Sequence, residues 1–362
     1  MAFSGAEVLV VGAGIVGRSI AYYLSRAGAR PLVIDAGDGP SNASRASLGV
    51  ITHFSGGAST YALFIRDSHA VHRPLAAELC DETGIDVGWR PLGGIDLVLN
   101  DEDEVEAEAN WQDQSQRGVN VERLNAEQVR GLEPNISAAL RWGLYYAEDE
   151  RVVPVQLGEA LLQAALMRGA QMHYGERLEK IERSHSGGVE IQTSLQRRHA
   201  DFLVLASGAW TAPLVEQLGA KIVLRPVRGQ HGRFAGAAPR HVLRHGGHLI
   251  IPEAQSTLVG ATTEDVGFEN ETTAEAARYL SAVRTRVLAG AAGLIGQGAG
   301  LRAKPKAGRP MIGPLEGHPR VFVATGHYKN GVLMGPLTGQ IVTRWMLEGD
   351  PARDMQPFFP ER

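Results

Sequence analysis

The first readable pattern is a short β-branched run, Val8-Leu9-Val10-Val11, with no polar alternation. A strand apolar at every position is one covered on both faces, as in a parallel sheet. Gly12-Ala13-Gly14-Ile15-Val16-Gly17 follows at once, and Arg18 to Ala27 takes up a helical period that Gly28 closes. Arg30 to Ile34 reads as a second strand and ends in Asp35. Further along, Val321 to Ala324 is a buried strand. A helix is predicted from about Leu337 to Leu347, with Pro336 near its start, where a missing N–H costs nothing. Gly93 to Leu99 and Leu249 to Gly260 read as strands that pair across the chain in one antiparallel sheet. Asp101 to Glu104 suits a solvated helix start, and Thr272 to Leu288 is a further helix.

Strand, glycine turn, helix, strand and acid together make the dinucleotide fingerprint. Gly12 permits the tight turn, Gly14 lets backbone approach a pyrophosphate, and Gly17 lets helix and strand pack closely. The helix start offers free N–H groups and the positive end of its dipole. Asp35 lies where a carboxylate accepts from ribose hydroxyls, and its charge disfavours a 2′-phosphate.

The chain has 362 residues, room for about two domains. A net charge of −4 gives no drive toward nucleic acid or anionic membrane, and Arg197-Arg198-His199, flanked by Asp201, reads as a solvated turn. Glycine, at 44 residues, is in excess, which fits many close backbone approaches. The one cysteine, Cys80, excludes internal disulfides and thiolate clusters, suits a reducing cytoplasm, and reads as a buried or incidental thiol. No apolar run reaches the roughly 18 residues of a membrane span, and no basic residue precedes Val8 as in a signal peptide. His231, His241, His245 and His248 are irregularly spaced, with no cysteine nearby, so no metal is expected.

The fingerprint alone leaves FAD and NAD open. The segment Ser41-Asn42-Ala43-Ser44-Arg45-Ala46-Ser47-Leu48-Gly49-Val50-Ile51 resembles the loop of the D-amino-acid oxidase, glycine oxidase and sarcosine oxidase superfamily that crosses beneath the pyrophosphate and flavin of FAD. Leu203 to Trp210, Gly300 to Pro305 with Gly308 to Gly313, and Gly326 to Pro336 resemble three further motifs of that superfamily in the same order, the last closest to the glycine oxidase branch.

The resemblance implies an α/β fold: a Rossmann-like FAD-binding domain of glutathione-reductase type, interleaved with an α+β substrate domain built on an antiparallel sheet. The expected division is 1–78, 145–215 and 300–362 for FAD, and 79–144 and 216–299 for substrate. It implies non-covalent FAD contacts at Gly12, Gly14, Ile15, Val16, Gly17, Asp35 and Ala36, and at Ser44, Arg45, Ala46, Ser47, Gly49 and Val50. Leu178, Ser207, Gly208 and Trp210 follow, then Arg302, His327, Lys329, Asn330, Gly331, Val332 and Leu333. No cysteine lies near Arg302 to bond the flavin, and His53, beside the loop, is not assigned that role.

The implied chemistry is oxidation of the C–N bond of an amino acid or related amine, by hydride transfer to flavin N5. The imine hydrolyses, with O2 as acceptor and H2O2 as product. Arg302 is expected to hold the substrate carboxylate through its planar fork, with Lys329 and His327 beside it. Val50, His248 and Leu249 are expected to complete the pocket. Three positions depart from the glycine oxidases: Leu249 replaces a tyrosine, Lys329 an arginine and Val50 a methionine. Leu258 stands where monomeric sarcosine oxidases carry a lysine that promotes oxygen reduction. A dehydrogenase passing electrons to a quinone or protein acceptor, a flavin-binding protein without amine turnover, and an NAD dehydrogenase stay open, as does assembly as a homo-oligomer or partner subunit.

Overall fold

The structure is a computed structural model that describes residues 7–39, 42–52, 56–183 and 188–360. The helices are α1 (Ile15–Arg26), α2 (Asn42–Arg45), α3 (Thr60–Thr83), α4 (Asp101–Gln116), α5 (Ala126–Leu132), α6 (Pro154–Met167), α7 (Thr211–Glu216), α8 (Ala274–Val287) and α9 (Gly331–Glu348). Val8–Val11 is an inner strand of a six-stranded sheet, paired in parallel with Leu32–Asp35 and with Phe202–Leu205. Gln171–Tyr174 and His318–Thr325 extend it in parallel, and Met311–Leu315 closes one edge antiparallel.

The unbroken apolar run at Val8 has a direct cause. Val8 and Val10 pack into a core with Ile20, Leu24, Leu161 and Val342, on the side of α1, α6 and α9. Leu9 and Val11 pack into a second core, with Ile181 and Ile191 from a three-stranded sheet on the opposite face. Alternate residues of a strand point to opposite faces, so a sheet covered on both sides wants apolar residues at each position. α1 and α9 touch through Gly339, where a Cβ would lie 2.7 Å from the backbone oxygen of Ser19.

The second layer is an eight-stranded sheet, in the order Leu294–Pro305, Leu224–Ala235, Ser256–Gly260, His248–Pro252, Val242–His245, Gly94–Val98, Trp142–Tyr146 and Glu122–Asn125. One face buries Phe234, Leu243, Ile250 and Val259 against Leu280 and Val287 of α8. The other face carries Ile251 and Leu258, packed with Leu48 and Val50. Among the described residues no helix is long and apolar enough to cross a membrane.

Four local expectations need correction. The single strand expected over Leu249 to Gly260 is a hairpin, with Leu249 opposite Gly260 and Pro252 opposite Thr257. The polar turn that folds it is closed by Glu253 N–H donating to Ser256 O and Ser256 Oγ donating to Glu253. That hairpin does not pair with Gly94–Val98 as expected: Val242–His245 lies between them and runs parallel to Gly94–Val98, so the sheet is not wholly antiparallel. α9 begins at Gly331 rather than near Leu337, so Pro336 lies inside the helix and removes one of its internal hydrogen bonds. Cys80 is exposed on α3, not buried.

α3 is locked to α9 by a histidine. His72 is fully buried and its Nε2 donates to Leu333 O at 2.9 Å. Burial lowers its pKa to about 4, and burial lowers that of His327 likewise to about 4. The unfolded chain takes up protons at both near pH 6.5, whereas the folded chain resists them down to the lower value. Stability therefore falls as pH drops through that window, by about 2 kcal/mol per histidine near pH 5. Urea unfolding should show a lower midpoint near pH 5 than at neutrality, and His72→Gln should flatten that dependence.

Candidate active site

The turn after Val11 forms the floor. Gly12 sits at φ +106°, a region L side chains avoid, and a Cβ there would lie 2.6 Å from Ala206 O. Gly17, in the first turns of α1, passes so close to Gly12 that any Cβ would collide with its carbonyl oxygen. Asp35 fastens the turn: Oδ2 accepts from Ala13 N–H at 2.7 Å and Oδ1 from Gly37 N–H at 2.8 Å. Beneath it the buried guanidinium of Arg18 donates to Ala13 O at 2.8 Å and to the Tyr174 hydroxyl at 2.7 Å.

α1 begins at N-cap Gly14 without a capping side chain of its own. Ser44 Oγ, from α2, accepts instead from Ile15 N–H at 2.9 Å. A concavity there is lined by Ala13, Ile15, Ser44, Arg45 and Gly158, with the Arg45 side chain exposed beside it. A positive helix end, a hydroxyl and a guanidinium suit a pyrophosphate. Asp35, only half-buried, keeps acceptor capacity for ribose hydroxyls beyond its two backbone bonds. The residues present therefore fit an extended dinucleotide.

The facing wall is the large sheet. Its register sets Gly229 opposite Gly300, His231 opposite Gly298 and Val227 opposite Arg302, so these six share one face. The glycines make room for those side chains, because a Cβ at Gly229 would strike the Arg302 guanidinium and one at Gly298 the His231 ring. At Gly300 a Cβ would lie 2.9 Å from the backbone of Ala43 in α2. That loop is stapled to the sheet: Asn42 Oδ1 accepts from Leu301 N–H at 2.7 Å, and His231 Nδ1 donates to Ala46 O at 3.2 Å.

Arg302 is half-buried over Gly229, and its Nη1 donates to Thr262 O at 3.0 Å. Burial lowers its pKa, and among the described residues no carboxylate pairs with it. Glu264, an acid that acts on it at longer range, is engaged by Arg228, Gln230 and Thr262. Lys329, exposed in the loop after Gly326, has its pKa lowered by partial desolvation and then by Arg302 and Lys304.

The other expected residues divide into groups. Val50 and Leu249 meet in one apolar patch with Leu258, and His248 stands edge-on to Tyr279 at 5.3 Å. His327 turns away from Lys329: its buried ring shares a 3.0 Å hydrogen bond with Thr338 of α9. Asn330 donates to the Tyr61 hydroxyl at 3.5 Å. Gly331 opens α9 beside the start of α1, with Ile15 Cγ2 3.9 Å from where its Cβ would be, while Val332 and Leu333 are buried in the core. Ser47 Oγ accepts from Gly49 N–H at 3.3 Å, Gly49 takes φ +75°, and Val16 is buried on α1. Ala36 is exposed just past Asp35. Ser207 shares a 3.1 Å hydroxyl bond with Thr211, Gly208 O accepts from Thr325 at 2.9 Å, and Leu178 is buried in the core behind the dinucleotide sheet. Trp210 is exposed against Phe268, ring centroids 5.5 Å apart. Ser41 and His53 lie outside the described residues. The four histidines considered together are dispersed, to Ala46, Glu133, Asp103 and Tyr279 in turn.

Sequence reasoning missed Arg18, Gly229, Thr262 and Tyr328. A glycine in the middle of a long strand was the available signal for Gly229, since it marks a close approach.

Residues 7–345 match the DAO family, FAD dependent oxidoreductase. The chain belongs to that family. FAD is its cofactor. Among relatives of this DAO-family protein, the glycine oxidase of Bacillus licheniformis is 29% identical over 96% of this chain and 94% of its own. The hydrogen cyanide synthase subunit HcnC of Pseudomonas aeruginosa is 27% identical over 98% and 96%. The crystal structure of glycine oxidase from Geobacillus kaustophilus superposes with a TM-score of 0.93 at 27% identity, covering 99% of each chain.

Gly17→Ala should purify with flavin occupancy reduced by about tenfold or more, because the turn must open to admit a methyl group. Asp35→Ala should retain FAD less well than wild type after dialysis, read as flavin absorbance per chain.

Proposed function

We propose that this enzyme oxidises the C–N bond of a carboxylate-bearing amine, an amino acid or a relative of one, to an imine that hydrolyses, with O2 as acceptor and H2O2 as product. FAD supplies the two-electron acceptor at the junction of the two layers. Segments 1–78, 145–215 and 300–362 bind it, non-covalently, and segments 79–144 and 216–299 form the substrate side. Ser44, Arg45 and the start of α1 hold the pyrophosphate, and Asp35 the ribose. A lone cysteine suits a cytoplasmic setting.

The observation that carries the reading is Arg302. A half-buried guanidinium with no carboxylate partner among the described residues pays desolvation that an arriving anion offsets. Its Nη1 bond to Thr262 O and its bed on Gly229 fix the plane of the fork, which orients a carboxylate bidentately and so orients the carbon beside it. Val50, Leu249 and Leu258 offer an apolar wall that excludes water. The glycine oxidase relatives support an amino-acid substrate, and the departures at Val50, Leu249 and Lys329 support one other than glycine.

A second reading concerns the acceptor. Leu258 is 5% exposed and packed among apolar neighbours, so no cation stands at that place to promote oxygen reduction. This favours electron transfer to a quinone or a protein, and a relative named as a subunit of a larger synthase is compatible with it.

Arg302→Ala should raise KM for carboxylate-bearing amines by about 100-fold while flavin is retained. An unchanged KM overturns the clamp. Anaerobic mixing with amino acids, secondary amines and 2-hydroxy acids should bleach the flavin with amines. Air should then restore the colour rapidly if O2 is the acceptor and slowly if it is not.

A further inference from the structure

We infer that the substrate carries two acidic groups, one held by Arg302 and the other by the ammonium groups of Lys304 and Lys329. The inference rests on the amine-oxidising reading above and specifies its substrate class. Its basis is a local excess of positive charge. Arg302 and Lys304 are two residues apart on one strand and so face the same side. Lys329 reaches the same place from the loop after His318–Thr325. Lys304 Nζ and Lys329 Nζ lie 5.5 and 5.7 Å from the centroid of one ring, that of Tyr328. Burial lowers the pKa of both Arg302 and His248, and Tyr328 is near enough to act on the first and Lys329 on the second.

Other arginines drawn in from solvent are matched by acids. On this sheet Arg228 pairs with Glu264 and Arg244 with Asp96 and Asp149, and Arg151, on a neighbouring short strand, pairs with Glu253. Among the described residues neither Arg302, Lys304 nor Lys329 has a carboxylate within 4.0 Å. Three like charges repel, and one substrate carboxylate answers only one of them. The two ends of the cluster also differ in kind. Arg302 is a fixed planar fork, suited to placing the group beside the reacting carbon. The lysines are point charges on flexible stems, suited to a second acid at a distance that varies with the substrate. Tyr328 holds φ +50°, a left-handed conformation that a tyrosine rarely adopts. That strain keeps its ring as a common neighbour of both ammonium groups, a favourable cation–π position.

The test uses the FAD-loaded enzyme and two unreactive ligands, diglycolate with two carboxylates and methoxyacetate with one. Calorimetry at low salt should find diglycolate about tenfold tighter, an advantage that shrinks as salt screens the lysines. Lys304→Met and Lys329→Met should each cut the diglycolate-to-methoxyacetate ratio by about threefold or more, and Lys304→Arg should restore it. KM from flavin bleaching should order N-carboxymethylglycine below N-methylglycine. Equal affinities, no binding of diglycolate, or a ratio that neither methionine variant moves overturns the inference while amine oxidation stands. Failure of every amine to bleach the flavin overturns the reading beneath it.

Discussion

The passage of α1 over the end of its own preceding strand is the constraint on which the molecule turns. At Gly17 and Gly12 two stretches of backbone meet with no room for a single carbon between them. That approach aims the start of α1 at the place where Ser44 and Arg45 arrive, and it leaves Asp35 in reach of the turn. A side chain at Gly17 displaces the helix, and the displacement carries with it α9, which packs on α1 through Gly339; one at Gly12 strikes the backbone of Ala206 and Ser207 instead. The start of α9 lies beside the start of α1. One contact distance thus sets both helix ends side by side.

The same device recurs on the large sheet, with a different result. Gly229, Gly298 and Gly300 flatten one face so that Arg302 and His231 can lie along it, and so that α2 can rest on it. The two layers are therefore joined by side chains bonded to the facing backbone: Asn42 Oδ1 to Leu301 N–H, and His231 Nδ1 to Ala46 O. Little side-chain bulk separates them. A flat, thin junction is what a planar ring system requires of its surroundings.

Much of this was legible in the sequence because it depends on local chemistry. The first βαβ unit is contiguous, and each of its residues is constrained by its neighbours, so Val8 to Asp35 could be read residue by residue. α8 and the Gly94–Val98 strand were legible for the same reason. The Leu249 to Gly260 hairpin was not, because its apolar halves are alike and only a short polar turn parts them. The start of α9 was misplaced because proline usually marks a first turn, whereas Pro336 is tolerated inside a helix held by packing on α1. His327 and Lys329 are near neighbours in sequence, yet one faces Thr338 and the other the cluster around Arg302. Which way a loop residue points is decided by tertiary partners. The neutral state of His327 likewise follows from burial alone and leaves no trace in the sequence.

The order of strands in the six-stranded sheet bears on how the polypeptide reaches its working form. Val8–Val11 emerges first, but its neighbour Phe202–Leu205 lies nearly two hundred positions later, and that strand in turn pairs with Val321–Val323 close to the far end. During synthesis the opening strand gains α1 on one face and Leu32–Asp35 on one edge at once, but its other face and other edge must wait for more than half of the chain, and contacts so distant in sequence form slowly. Coenzyme capture is then a late event at the ribosome, and shortening the C-terminal end would remove a layer of the nucleotide fold and not merely a tail.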